Sequence, residues 1–184
     1  MRLFLALDLP DAGRAQIARW RDSLVAERAE LRPVRDEALH VTLVFLGRRP
    51  AQLVPGLWSA AAGALAGLAA PTLAPAGLTA VPPRRPRLLA LDLEDRGGRA
   101  GEVHGALSRA LAEVGLHEPE KRAFWPHVTV ARARGKGRLR GVEAPPVPPG
   151  PFAAPVVTLY RSDLHPAGAR YVALERVELV EARG

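Results

Sequence analysis

The tripeptide His-Val-Thr occurs twice in this chain, at residues 40–42 and 127–129, each time inside an apolar, β-branched run that predicts a strand. Side chains alternate between the two faces of a strand, so each histidine shares a face with its threonine while the valine points the other way. We therefore expect each valine to enter the core and each His-Thr pair to stay accessible. Two imidazoles and two hydroxyls on one surface are suited to acid-base chemistry at a small anion such as a phosphate ester.

The sequence that precedes each tripeptide is repeated as well. The tetrapeptide Ala-Leu-Asp-Leu occurs at 6–9 and 90–93, and Asp8 precedes His40 by 32 positions where Asp92 precedes the second histidine by 35. A segment with helical periodicity follows each tetrapeptide. The order strand, helix, strand therefore occurs twice, and we interpret it as an internal duplication that sets two lobes face to face about a pseudo-twofold axis.

The two helical segments carry their own end signals. Apolar residues recur at helical spacing between positions 17 and 24, behind Asp11, which we expect to be the N-cap. The second apolar stripe runs from 103 to 114 and is followed by Gly115, which predicts a glycine-terminated helix end.

Composition restricts the class of protein. A chain of 184 residues with 48% apolar side chains is long enough for one packed α/β domain or two small fused lobes. No cysteine is present, which excludes a disulfide framework and a thiolate metal site. The first residues predict a strand and not a signal peptide, and the longest apolar stretch, 57–70, predicts a packed helix. We expect a cytoplasmic monomer that does not enter a membrane.

The formal charge of +7 raises the question of nucleic-acid binding. All but two of the 26 basic residues are arginine, which is typical of compositional bias as well as of phosphate binding. The densest basic stretches are 83–87 and 132–140, and we interpret them as candidate phosphate-steering loops. In the second stretch the loop charges are those of Arg134, Lys136 and Arg138.

Four blocks of the chain resemble a known family and cover nearly its whole length in order: 2–10, 39–47, 126–132 and 159–171. They are similar to the RNA 2′,3′-cyclic phosphodiesterases, which are two-histidine (2H) phosphoesterases with paired HxTx motifs, also described as 2′-5′ RNA ligase-like. The resemblance implies an RNA-processing hydrolase that forms a single bilobal domain over 1–184. Its fold class would be α/β (α+β), with two pseudo-symmetric lobes of antiparallel sheet around a central cleft and helices outside. It also implies that hydrolysis needs no metal and no other cofactor.

The same resemblance assigns roles to the repeated motifs. His40 would be the general acid that protonates the departing 3′ oxygen, and His127 the general base that activates water, so that the product is a 2′-phosphate. Thr42 and Thr129 would hold the phosphate oxygens. Independently, threonine hydroxyls are suitable donors to the oxygens on which charge accumulates in the transition state.

Phe45 and Arg132 lie five positions after the two histidines and match family positions that contact the terminal nucleobase. An aromatic ring and a guanidinium both stack on a base without reading its identity. Strict alternation places position +5 on the face opposite the histidine, so these contacts require a bend or a strand end.

The remaining histidines and the two repeated aspartates receive weaker interpretations. We expect His104 and His117 to be exposed, on and just after the second repeated helix, and His165 to lie in an exposed turn. Asp8 and Asp92 orient groups near the cleft floor, or else serve as capping and turn residues.

Two other function classes remain open. The first is a metal hydrolase in which both motif histidines are ligands, although no third ligand has suitable spacing. The second is a non-catalytic protein that binds RNA ends. Within the enzyme class, hydrolysis and ATP-independent 2′-5′ RNA ligation are related directions of one chemistry. The expected partner is RNA with a 2′,3′-cyclic phosphate end, with tRNA fragments as one candidate source.

Overall fold

The computed structural model describes residues 1–135, 139, 142–148, 150–165 and 168–181. Its helices and strands follow in chain order: β1 (Arg2–Asp8), α1 (Asp11–Val25), β2 (Leu31–Pro33), β3 (His40–Arg48), α2 (Val54–Leu65), β4 (Thr72–Val81), β5 (Leu88–Arg96), α3 (Arg99–Glu113), β6 (His127–Ala133), β7 (Phe152–Ala153), β8 (Val156–His165) and β9 (Gly168–Glu178). Short 3-10 turns occur at Asp36–Ala38 and Ala51–Leu53.

The described strands form a sheet in the order β7-β4-β5-β6-β3-β1-β8-β9, with β2 paired to β6. All pairings between these strands are antiparallel. The half β3-β1-β8 mirrors the half β6-β5-β4, and the two histidine strands meet in the middle. This arrangement confirms the predicted antiparallel, pseudo-symmetric α/β architecture. That residues 1–184 form a single domain that arose by duplication stays our proposal.

The core lies between the sheet and its helices. Strand β1 is buried without interruption from Leu3 to Leu7, which is the pattern of a strand covered on both faces. The predicted apolar stripe of α1 is buried, and α1 packs near β2 and β6. Helix α3 packs near β3, β4 and β5. Each repeated helix therefore supports the histidine strand of the other half.

The predicted helix ends have different outcomes. Helix α3 ends at Glu113, and Gly115 follows with a φ of 70°. The N–H of Leu116 bonds to the carbonyl of Leu111, which confirms the glycine-terminated end. The expectation that Asp11 is the N-cap of α1 is wrong by one residue. Pro10 occupies that position and its carbonyl accepts the first helical bond, so Asp11 lies in the first turn.

Strands β8 and β9 form a long C-terminal hairpin. Strands β8 and β9 pair from Val156 opposite Glu178 to His165 opposite Gly168. The placement of His165 in a turn is therefore wrong, because the strand continues through it.

The apolar stretch 57–70, which was predicted as a helix, overlaps α2. Among the described residues no helix has the length and apolar character needed to span a membrane, and the cytoplasmic, monomeric state stays a prediction.

Candidate active site

The two histidine strands touch at one antiparallel pair, Val41 of β3 opposite Val128 of β6. Both valines are 0% exposed. Neighbouring side chains on each strand point to the opposite face, so both His-Thr pairs leave the sheet on the side away from this buried contact. The alternating burial of both strands confirms the predicted orientation.

The residues that flank this pair are His40 and Thr42 on β3 and His127 and Thr129 on β6. We call these four polar side chains the square. The charge of His127 acts to lower the pKa of His40, so the two imidazoles lie close enough to interact.

A cavity of about 500 Å³ opens beside this square. Five of the six predicted site residues line it: His40, Thr42, Phe45, Thr129 and Arg132. The sixth predicted residue, the second histidine, is not among the lining residues although its strand presents it on the same face. The cavity thus extends from the centre of the square toward the β1–β3 side and is large enough for a nucleoside.

A β-bulge follows each histidine at the same offset. Leu43 is an inserted residue in β3 against β1, and Val130 is the equivalent insertion in β6 against β5. An inserted residue reverses the alternation of side chains beyond it. Phe45 and Arg132 consequently return to the cleft face, where both are exposed and line the cavity. The two bulges supply the bend that position +5 requires.

The backbone carbonyls of both inserted residues make hydrogen bonds to neighbouring segments. The Leu43 carbonyl lies 2.8 Å from Nδ1 of His104, and the Val130 carbonyl accepts the backbone N–H of Val34 at 2.8 Å. His104 also stacks on Phe124 at 4.6 Å between ring centroids. The expectation that His104 is exposed is therefore wrong, because its ring is packed at the base of a bulge.

His117 is likewise partly buried and not exposed as predicted. Its Nε2 lies 3.1 Å from the hydroxyl of Ser108. Burial lowers the pKa of His117 below its usual value, against the opposing charge of Glu120. The residue packs the end of α3 and lies outside the cleft residues.

Both motif imidazoles are anchored in the same way. Nδ1 of His40 lies 2.8 Å from the carbonyl of Ala38, and Nδ1 of His127 lies 2.8 Å from the carbonyl of Trp125. A carbonyl only accepts hydrogen bonds, so each Nδ1 carries the proton and Nε2 remains for chemistry. Nε2 of His40 lies 3.1 Å from the hydroxyl of Thr42.

The surroundings of His40 favour its neutral form. Its ring is 4.9 Å from that of Phe4 and 5.2 Å from that of Tyr171. Burial lowers the pKa of His40 to about 4, and the Ala38 carbonyl and the Asp8 carboxylate oppose this shift. The imidazole is therefore neutral at pH 7 in the unliganded protein.

This depressed pKa predicts a loss of stability in acid. In the unfolded chain the imidazole takes up a proton near pH 6.5, whereas in the folded protein His40 resists protonation until about pH 4. The unfolded state therefore binds more protons in this window, and stability falls as the pH drops through it. We expect His40→Asn to reduce the difference in unfolding free energy between pH 7 and pH 4 by about 2–3 kcal/mol.

Urea unfolding of both proteins at the two pH values measures this difference. His165→Asn is the matched control, since it removes the same residue type at an exposed position. An identical pH dependence in wild type and His40→Asn would show that the folded protein does not disfavour the charged imidazole.

Asp8 lies opposite His40 in the β1–β3 register. Its carboxylate accepts hydrogen bonds from the hydroxyls of Thr158 and Tyr160, both at 2.8 Å. Burial and the bond to Asp8 raise the pKa of Tyr160. The carboxylate is thus held by strand β8 near His40, where its charge acts to raise the pKa of the imidazole.

Asp92 has the equivalent position opposite His127 in the β5–β6 register. It accepts hydrogen bonds from the hydroxyl of Thr79 at 2.7 Å and from Nε1 of Trp125 at 3.1 Å. The indole stacks on His127 with ring centroids 4.0 Å apart and an angle of 18° between planes. Asp92 therefore orients the second histidine through Trp125, a residue that sequence reasoning did not single out.

Arginines from β2 and the loop before β3 add positive charge to the cavity. Arg32 is paired with Arg132 in the β2–β6 register, and Arg35 also lines the cavity. Nε of Arg134 donates to the carbonyl of Leu31 at 2.9 Å. Lys136 and Arg138, on which the predicted steering loop depends, lie outside the described residues, so that hypothesis stays a prediction.

Within the described ranges no three carboxylate or imidazole side chains are grouped to hold a metal ion.

The family is decided by comparison with known proteins. The model of the 2′-5′ RNA ligase superfamily matches residues 9–163. The chain belongs to this superfamily. A Thermus thermophilus protein named RNA 2′,3′-cyclic phosphodiesterase is 34% identical over 188 residues, which cover 97% of this chain and 90% of that protein. Relatives from Methanothermobacter thermautotrophicus, Aeropyrum pernix and Escherichia coli carry the same name.

Solved structures of similar proteins have the same fold. A crystal structure of a Thermus thermophilus protein matches this chain over the full length of both proteins, with a TM-score of 0.84 and 28% identity. The structure of E. coli LigT in complex with 3′-AMP has a TM-score of 0.80 and 30% identity over 98% of each chain. The resemblance inferred from the sequence blocks is therefore confirmed.

Proposed function

We propose that this protein hydrolyses the 2′,3′-cyclic phosphate ends of RNA to 2′-phosphates by acid-base catalysis. Its curated relatives are named RNA 2′,3′-cyclic phosphodiesterase, which makes the chain a hydrolase of that class. The observation that carries the proposal is the square of two histidines and two threonines around the buried Val41–Val128 pair.

In the proposed reaction the cyclic phosphate lies at the centre of this square. Thr42 and Thr129 donate hydrogen bonds to its non-bridging oxygens. Nε2 of His127 takes a proton from water as the water oxygen attacks phosphorus. The bond from phosphorus to the 3′ oxygen breaks, and His40 gives its Nε2 proton to that oxygen. The products are a 2′-phosphate and a free 3′-hydroxyl.

Because the pKa of His40 is low in the unliganded protein, the substrate has the role of promoting protonation of this residue in the proposed scheme. An anion against Nε2 favours the imidazolium form, so binding of the cyclic phosphate raises the pKa of His40 and supplies the acid. The Asp8 carboxylate acts in the same direction. The proton of the general acid is therefore acquired together with the substrate.

We further propose that the terminal nucleoside occupies the 500 Å³ cavity beside the square. Phe45 is 49% exposed there, and Arg132 presents a guanidinium from the opposite half. Both side chains bind the terminal base by stacking, which tolerates any base. Ligation uses the same centre, with the 5′-hydroxyl of a second RNA in place of water, and tRNA fragments are one class of substrate.

One assay tests the proposed function. An oligonucleotide ending in a 2′,3′-cyclic phosphate is incubated with the protein and a strong chelator. Ring opening is detected by alkaline phosphatase, which removes the phosphate of a phosphomonoester but leaves a cyclic phosphate intact. We expect complete conversion to the 2′-phosphate. Loss of activity in chelator would favour the metal hydrolase, and tight binding without turnover would favour the RNA-end binder.

A control determines whether the 3′ oxygen or the 2′ oxygen departs when the ring opens. Alkaline phosphatase removes a 2′-phosphate and a 3′-phosphate alike, so the product is also compared by chromatography with authentic 2′- and 3′-phosphate standards. Formation of the 3′-phosphate would show that the 2′ oxygen departs, which contradicts the assigned position of the acid.

A further inference from the structure

Two arginines stand directly opposite each other at the open end of the β1–β3 pair, Arg2 and Arg48. Like charges in this arrangement destabilise a sheet unless an anion compensates them. Among the residues that the structure describes, no carboxylate lies within salt-bridge distance of either guanidinium. The guanidinium of Arg2 instead lies 5.5 Å from the ring centroid of Phe45. The pair is therefore an uncompensated positive site beside the residue proposed to bind the terminal base.

Both arginines line a second cavity, of about 470 Å³. Three of its residues, Arg2, Ser162 and His165, also line the catalytic cavity, so the two spaces adjoin. The carboxylate Asp163 is in the wall, but Arg161 engages it at 2.9 Å. The second cavity thus combines unpaired cations with a hydroxyl and an imidazole, which are groups that bind a phosphate.

We propose that this cavity binds the phosphodiester that joins the terminal nucleoside to the penultimate nucleotide of the RNA. The inference rests on the proposed function, which places the cyclic phosphate at the square and the terminal base near Phe45. The 5′ side of that nucleoside then continues past Phe45 and over Arg2 into the second cavity. A phosphate between Arg2 and Arg48 converts their mutual repulsion into two attractive contacts.

Two substrates and one variant test this strand path. The substrates are a nucleoside 2′,3′-cyclic phosphate with a free 5′-hydroxyl and a dinucleotide ending in the same cyclic phosphate. Arg48→Gln removes a charge that lines the second cavity and does not line the first. We expect the ratio of kcat/KM for the dinucleotide to that for the mononucleotide to fall by about three- to tenfold, the scale of a partly exposed charge-assisted contact.

The salt dependence supplies a second readout. Salt screens the attraction between the Arg48 guanidinium and a phosphate, so Arg48→Gln should flatten the dependence of log kcat/KM on log salt concentration for the dinucleotide. Arg19→Gln, which makes the same change on the exposed face of α1, is the matched control and should alter neither quantity. An unchanged ratio and slope in Arg48→Gln would overturn the inference, whereas failure of the wild type to hydrolyse either substrate would overturn the proposed function.

Discussion

Replacing either motif histidine with alanine is expected to lower kcat for a 2′,3′-cyclic substrate by a factor on the order of 10²–10⁴ or more, the scale of a positioned acid or base. His40→Ala removes the proton donor to the departing 3′ oxygen, and His127→Ala removes the acceptor for the proton of water. Both side chains leave the sheet on the cleft face, so we expect the variants to fold. Steady-state kinetics with a cyclic mononucleotide measures the loss, and circular dichroism checks the fold.

The double variant sharpens this prediction. Groups that act in one concerted step are not additive, so His40→Ala with His127→Ala should cost little more than either change alone. His117→Ala, the same change at a histidine that lines neither cavity, is the control. A folded single variant that kept more than about a tenth of wild-type kcat would show that the two-histidine mechanism is wrong for this chain.

Valine at either motif threonine is expected to lower kcat by about 100- to 1000-fold, the range found when one donor to a developing oxyanion is removed. Valine keeps the shape of Thr42 or Thr129 but has no hydroxyl. If these hydroxyls bind the non-bridging oxygens more strongly in the transition state than in the ground state, the loss falls on kcat more than on KM.

Serine variants distinguish a direct role from a packing role. Thr42→Ser and Thr129→Ser keep the donor and lose a methyl group, so we expect them to restore most of the activity that valine removes. If valine variants raised KM alone, the threonines would bind the phosphate without stabilising the transition state.

The local pattern of the chain was enough to predict much of the site. Period-two alternation determines that His40 shares a face with Thr42 while Val41 enters the core, and the same holds for the second motif. The repeated Ala-Leu-Asp-Leu approach correctly indicated two matching halves. Gly115 marked the end of α3 because that position requires a positive φ, which glycine adopts at little cost.

Local pattern failed where a distant strand sets the geometry. Strict alternation directs Phe45 and Arg132 away from the cleft, and only the bulges at Leu43 and Val130 return them. A bulge depends on how one strand is paired with another, and His104 from α3 bonds to one of the inserted carbonyls. Sequence alone predicted an exposed His104 because the carbonyl that it contacts, that of Leu43, is far away in the chain.

Residues a few positions apart in the chain were enough to indicate which side chains are candidates for the chemistry and which face of their strands they occupy. The neighbours of these side chains follow only from the tertiary fold. The Asp92–Trp125–His127 contact and the opposed pair Arg2 and Arg48 arise from pairing between separate segments. Such registers depend on the packing of the whole core, since a slip of one residue would turn every side chain of a strand to the other face.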